Sequence, residues 1–202
     1  MLLNPHFFLI KNAAKMKSEK ISLRFAVITS IVLALALSRL LPHPLNFSPL
    51  AALALFGGAR YSNRMAAYLI PLLALWVSDL FLNYAFYGSF VLFYEGAFFT
   101  YFAFAMIVMI GSVVMRKFSA KNLLMGSLSA SLVFFLLSNF GVWISGGLYP
   151  LTAAGFASCY AAAIPFFRNT LTGDLVYTFA VFYAFEFAQQ RISFLQVKPV
   201  NH

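Results

Sequence analysis

Apolar residues run in long blocks broken by short polar or turn-forming stretches, and that pattern alone places six helical segments along the chain. The first covers about Phe25 to Leu41, and the second runs from Ser48 to about Tyr61. The third covers Met65 to Asn83, the fourth Gly96 to Met115, the fifth Asn122 to Ile144 and the sixth Thr170 to Gln189. Blocks of about twenty apolar residues fit membrane-spanning helices, whereas barrel strands would alternate over about ten residues. Ser48 and Pro49 read as a helix start, with Ser48 as N-cap and Pro49 at the first helical position. At ~1.5 Å per residue this second segment reaches only about 20 Å, so it is expected to be tilted, extended by flanking backbone, or re-entrant. Residues 155–164, among small side chains before Pro165, form a further short helix or re-entrant segment that cannot span.

Composition supports a lipid environment. The 202 residues are 62% hydrophobic, 18% aromatic and 9% charged, where a soluble domain carries about 25% charged residues. In a bilayer every backbone polar group must be satisfied within the fold, which favours helices here. The chain is thus expected to be an all-α integral membrane protein of about six spans. A basic cytoplasmic segment (1–24) precedes a membrane domain (25–189), and a cytoplasmic tail (190–202) follows. A cleaved signal peptide ending near Ala34-Leu-Ala36-Leu-Ser38 is the competing reading, disfavoured because further spans follow at once.

The formal charge of +9 raises the question of nucleic acid, but the basic residues lie between apolar blocks rather than along one polar face. They act as topology signals instead. With the N-terminus inside, twelve of the fourteen Lys and Arg fall on the cytoplasmic side; only Arg39 and Arg168 fall outside. That split predicts both termini in the cytoplasm and residence in the cytoplasmic (inner) membrane. The lipid bilayer is the first partner, and nucleic acid is not one.

Chemistry-bearing residues gather toward the outer side. Asp79 and Asp174, two of only five acids, lie inside predicted spans at what the segment boundaries make a similar depth. An ionisable group in a span is expensive, of order 2.5–3.5 kcal/mol, so it is expected to pair or to face a wet cavity. One reading pairs Arg39 with Asp79, or Arg168 with Asp174, to fix helix packing. The other makes the acids part of an outward-open pocket with Asn46, Asn83, Asn139, Trp143, Tyr160, Arg168 and Asn169. Polar groups among aromatics suit a small, flat, polar organic ligand, although Trp and Tyr also concentrate at any membrane interface. Ala26, Ser30, Ala34 and Ser38 recur every fourth residue on the first helix, for packing within the chain or for docking a partner membrane subunit. His43 reads as an interfacial turn residue, and Cys159, the single cysteine, as a packing residue. No catalytic group, metal site or cofactor is assigned: a lone cysteine rules out a Cys-based zinc site, and there is no G-x-x-x-x-G-K-[ST] for a nucleotide.

The stretch His43-Pro-Leu-Asn-Phe-Ser-Pro-Leu-Ala-Ala-Leu-Ala-Leu-Phe-Gly-Gly58 with Ser78-Asp79-Leu80 resembles the start of the substrate-binding S components of energy-coupling-factor (ECF) vitamin transporters. Together with Ser138-Asn-Phe-Gly-Val-Trp143 and the run Cys159 to Asp174, it is similar to an uncharacterised family of bacterial membrane proteins of about this length. The resemblance covers roughly residues 25–188. It implies an S-component-like bundle that captures a small organic nutrient from outside, with ECF-type transmembrane and ATPase subunits as partners. It carries no vitamin-specific signature. A non-transporting scaffold, such as an envelope-morphogenesis protein, is the alternative. An intramembrane enzyme using His43, Asp79, Glu95 and Asp174 ranks third, since no spacing sets two of them on one helical face.

Overall fold

A computed structural model describes residues 5–42 and 44–196; His43 and His202 lie outside them, as do the side chains of residues 1–18, 20 and 21. The described residues form six helices and no strand: α1 (Pro5–Ser38), α2 (Leu50–Arg60), α3 (Arg64–Tyr87), α4 (Ala97–Val114), α5 (Ala120–Ile144) and α6 (Ala153–Arg191). Three of them, α3, α4 and α5, are long and apolar enough to cross a membrane, while Ser22–Ser38 and Leu50–Arg60 are shorter apolar helices.

The short second helix is the centre of the bundle. All five other helices pack on α2, and nine of its eleven residues are buried. It is apolar on every side, as a helix surrounded by others must be. Small residues make this possible. A β-carbon at Gly58 would stand 2.1 Å from the Val108 carbonyl oxygen, and one at Gly111 would stand 2.3 Å from that of Leu55. The backbones of α2 and α4 therefore touch, the close approach that small residues allow between membrane helices. Gly57 seats the Pro71 ring of α3 in the same way. On its remaining face Phe56 packs edge-on against Phe182 and Phe185 of α6.

Several boundaries differ from the sequence-based expectation. The α2 N-cap is Pro49 and no side chain caps the helix, so Ser48 does not fill that role. The helix α1 starts within the basic segment, so residue 25 is not a structural boundary. The predicted short segment at 155–164 and the sixth segment are one helix of 39 residues running through Pro165. Proline removes a donor, yet neighbouring helices can hold such a helix together. Here Tyr160 OH donates to the Leu136 carbonyl (2.6 Å) and Cys159 Sγ lies 3.4 Å from that of Asn139, fastening the first turns of α6 to α5. Other ends follow local chemistry: Asn63 and Ser119 cap α3 and α5 through their side chains, and Gly88 ends α3 at φ 67°.

The connections α1–α2, α3–α4 and α5–α6 are the longer ones and gather at one end, where Asn169 Nδ2 donates to the Leu45 carbonyl (2.9 Å) and Gly147 lies beside Glu95. At the opposite, short-loop end, Arg60 Nη2 is 3.7 Å from Glu186 Oε2 and its guanidinium lies over Phe182 and Phe185.

If the α2–α4 backbone contact organises the bundle, Gly111→Val forces the two helices apart with no flexible side chain to yield. Overpacking of this kind lowers stability by about 1–3 kcal/mol. Thermal unfolding in detergent should show a clear loss for Gly111→Val and for Gly58→Val. Leu124→Val on the exposed face of α5 should change little.

Candidate functional site

At the long-loop end, two cavities of about 430 and 320 Å³ lie side by side. The larger is walled by Arg39 and the α1–α2 connection, by Leu50 and Ala51 of α2, by Phe104 and Phe134, and by Thr170 and Asp174 of α6. The smaller adds Ser138, Asn139, Tyr149 and Cys159. Asn46, Phe134 and Thr170 border both. Asn46 has φ 62°, a left-handed conformation that asparagine tolerates better than most residues. Both volumes fall within the range of about 300–1,000 Å³ usual for small-molecule sites.

Asp79 and Asp174 have different surroundings. Asp79 is paired: Arg39 Nη1 lies 2.5 Å from its Oδ1 and Tyr101 OH donates to its Oδ2 at 2.8 Å. The same Arg39 nitrogen donates to Ser78 Oγ at 3.0 Å. Arg39, just past the end of α1, is thereby tied to α3 and, through Asp79, to α4, and Asp79 lies behind Arg39 rather than on a cavity wall. Asp174 is buried, and among the described residues its hydrogen-bond partner is Ser131 Oγ at 2.6 Å, with no salt bridge. Arg168 is exposed and lies on another face of α6, so the expected Arg168–Asp174 pair does not form. Nor are the acids at equal depth. Asp79 bonds to Tyr101 in the first turns of α4, whereas Asp174 bonds to Ser131, roughly 20 Å along α5 from its long-loop end. The expectation of equal depth took α6 to start near Thr170, and it starts at Ala153.

The other candidates divide. Asn46 and Asn139 line cavities. Asn83 Nδ2 donates to the Val91 carbonyl (3.0 Å) and Trp143 Nε1 to that of Pro150 (3.1 Å), which makes both loop fasteners. Tyr160 and Asn169 are held by Leu136 and Leu45 as described. Asp79, Asn83, Trp143, Tyr160, Arg168 and Asn169 border neither cavity. Ser131 and Thr170 were not singled out by sequence; a hydroxyl recurring inside an apolar span opposite an acid is the signal that would have found them. On α1, Ala26, Ser30 and Ala34 are exposed and Ser38 is half-buried, so most of the small-residue stripe faces away from the bundle.

A family model described as "Family of unknown function (DUF6580)" matches residues 19–197, nearly the whole chain. The chain belongs to the DUF6580 family. No curated protein and no solved structure matches it. The cavities, both acids and the central α2 all fall inside the DUF6580 region.

Removing one member of a partly buried ion pair leaves the other less well satisfied, at a loss of about 1–3 kcal/mol, whereas removing both relieves it. Arg39→Met and Asp79→Leu should each lower the unfolding temperature more than the double variant does, measured in detergent as a double-mutant cycle.

Proposed function

We propose that this chain is a membrane-embedded binding subunit for a small organic, vitamin-like nutrient, captured at the outer face and moved inward with energy from a separate module. The observation that carries this reading is the cavity of about 430 Å³ at the long-loop end, with Arg39 and Asp174 on its wall. Its lining mixes aliphatic and aromatic side chains with few polar groups, the usual make-up of a site that holds a small molecule by shape and orients it by charge. Asp174, lacking a salt bridge among the described residues, would take a donor or cationic group of the solute; Arg39, already shared with Asp79, would set the opposite end.

Under this reading all six helices lie in the membrane with both termini cytoplasmic. The supporting facts are the distribution of twelve of fourteen basic residues and the enclosure of α2 by the other five helices. A short helix shielded on all sides does not need the full length of a lipid-facing span. The long-loop end then faces outward. The exposed stripe Ala26, Ser30 and Ala34 on α1, a helix that among the described residues packs on α2 and α3, supports its assignment as the face that meets a coupling subunit. ATP hydrolysis would belong to that partner module.

The test is recovery of a co-purifying solute by native mass spectrometry of protein extracted from its own membrane. A solute retained by the wild type and lost at least about tenfold in affinity on Asp174→Asn or Ala51→Trp supports the reading; tenfold corresponds to one strong polar contact. Asp79→Asn should act only indirectly, through Arg39. Retention undiminished by both cavity variants would overturn it.

A further inference from the structure

The interface between α5 and α6 holds more oxygen than its hydrogen bonds account for. The two helices are antiparallel: Leu136 pairs with Tyr160, and deeper, Ser131 pairs with Asp174. Four residues further on, Ser127 follows Ser131 on the same face of α5 and Thr178 follows Asp174 on the same face of α6. Ser127 and Thr178 are completely buried, and among the described residues neither Ser127 Oγ nor Thr178 Oγ1 has a hydrogen-bond partner. A buried hydroxyl left bare is uncommon and calls for a partner. Above them, Ser131 Oγ is within reach of two acceptors, Asp174 Oδ2 (2.6 Å) and the Ser127 carbonyl (3.1 Å), but has one proton to give. The site is thus short of positive charge and has lone pairs to spare.

We propose that Asp174, Ser131, Ser127 and Thr178 form a binding site for a single alkali cation of sodium size, just below the solute cavity. Hard oxygen donors suit such an ion. One carboxylate balances one positive charge, whereas calcium sites usually gather six to eight oxygens with several carboxylates. The ion neutralises Asp174, takes a lone pair from each hydroxyl and leaves the Ser131 proton free for the Ser127 carbonyl. A proton on Asp174 would satisfy the carboxyl alone and leave both lower hydroxyls bare, so a metal cation accounts for more of the site. Because Asp174 borders the cavity above, occupancy of the ion site sets the charge on the cavity floor. The cation site does not depend on the solute reading, since neither Ser127 nor Thr178 lines the cavity.

The experiment is thermal unfolding of the purified full chain in detergent, without solute, read by a thiol-reactive dye on the single, buried Cys159. Sodium chloride is exchanged against choline chloride at constant ionic strength and at several pH values. Wild type should unfold at higher temperature as sodium rises, as expected for a ligand that binds only the folded state. Thr178→Val and Ser127→Ala, each close in shape to the native residue, should raise the half-saturating sodium concentration at least about tenfold. Binding of radioactive sodium to the wild type should compete with unlabelled sodium and not with choline. Equal unfolding temperatures in sodium and choline at every pH, or a sodium response kept by both variants, would overturn the proposal. A sodium response in a protein from which no solute is recovered would count against the proposed function alone.

Discussion

The contact between the backbones of α2 and α4 at Gly58 and Gly111 is the constraint on which the rest of the structure depends. Lipid tails are as apolar as leucine, so a membrane bundle gains little by merely hiding hydrophobic side chains, and close packing must supply the association. An eleven-residue helix is too short to face lipid along its length, and here it does not need to. Gly57, Gly58 and a run of alanines and leucines let four long helices and α1 close around it. Because α2 ends well short of its neighbours, space remains above its first turn, between the α1–α2 connection and α6. That space is the larger cavity, with Leu50 and Ala51 at its base. The candidate site is a consequence of the short helix.

The polar residues of the bundle then sort by what surrounds them. Asp79 of α3 is taken up by Arg39, at the start of the α1–α2 connection, and by Tyr101 of α4. Among the described residues Asp174 has a hydroxyl, Ser131, as its hydrogen-bond partner, at a greater depth and on a cavity wall. A charge in that position is unfavourable unless something neutralises it. Both proposals, a solute above and a cation below, follow from that single imbalance.

Much of this was legible in the sequence, and the failures have physical causes. Apolar blocks located α2 to α5 within a few residues, whereas α1 and α6 both start far ahead of the segments expected for them. The brevity of the second segment was visible, but its place at the centre was not; enclosure depends on contacts with five helices far away in sequence. Pro165 looked like a break between two elements, and α5 overrides it through Leu136 and Asn139. Merging the two elements moved Asp174 inward and separated it from Asp79. Arg39 with Asp79 was one of two anticipated pairs; the other failed because Arg168 and Asp174 sit on different faces of one helix. Ser127, Ser131 and Thr178 were not singled out in the sequence, because it takes the fold to bury them and to set Ser131 on Asp174. Membership of the DUF6580 family fixes kinship without supplying an activity, so the chemistry has to come from these contacts.

The central claim is that the space above α2 is a chamber reached from the outer side. Its most direct test is labelling of a cysteine on the cavity wall. With Cys159 changed to serine, Thr170→Cys is exposed to a small, charged, membrane-impermeant thiol reagent in vesicles of known sidedness. The account predicts reaction from the outer side alone, slowed when Ala51→Trp fills the chamber. Absence of reaction from either side, or reaction only from the cytoplasmic side, would contradict it.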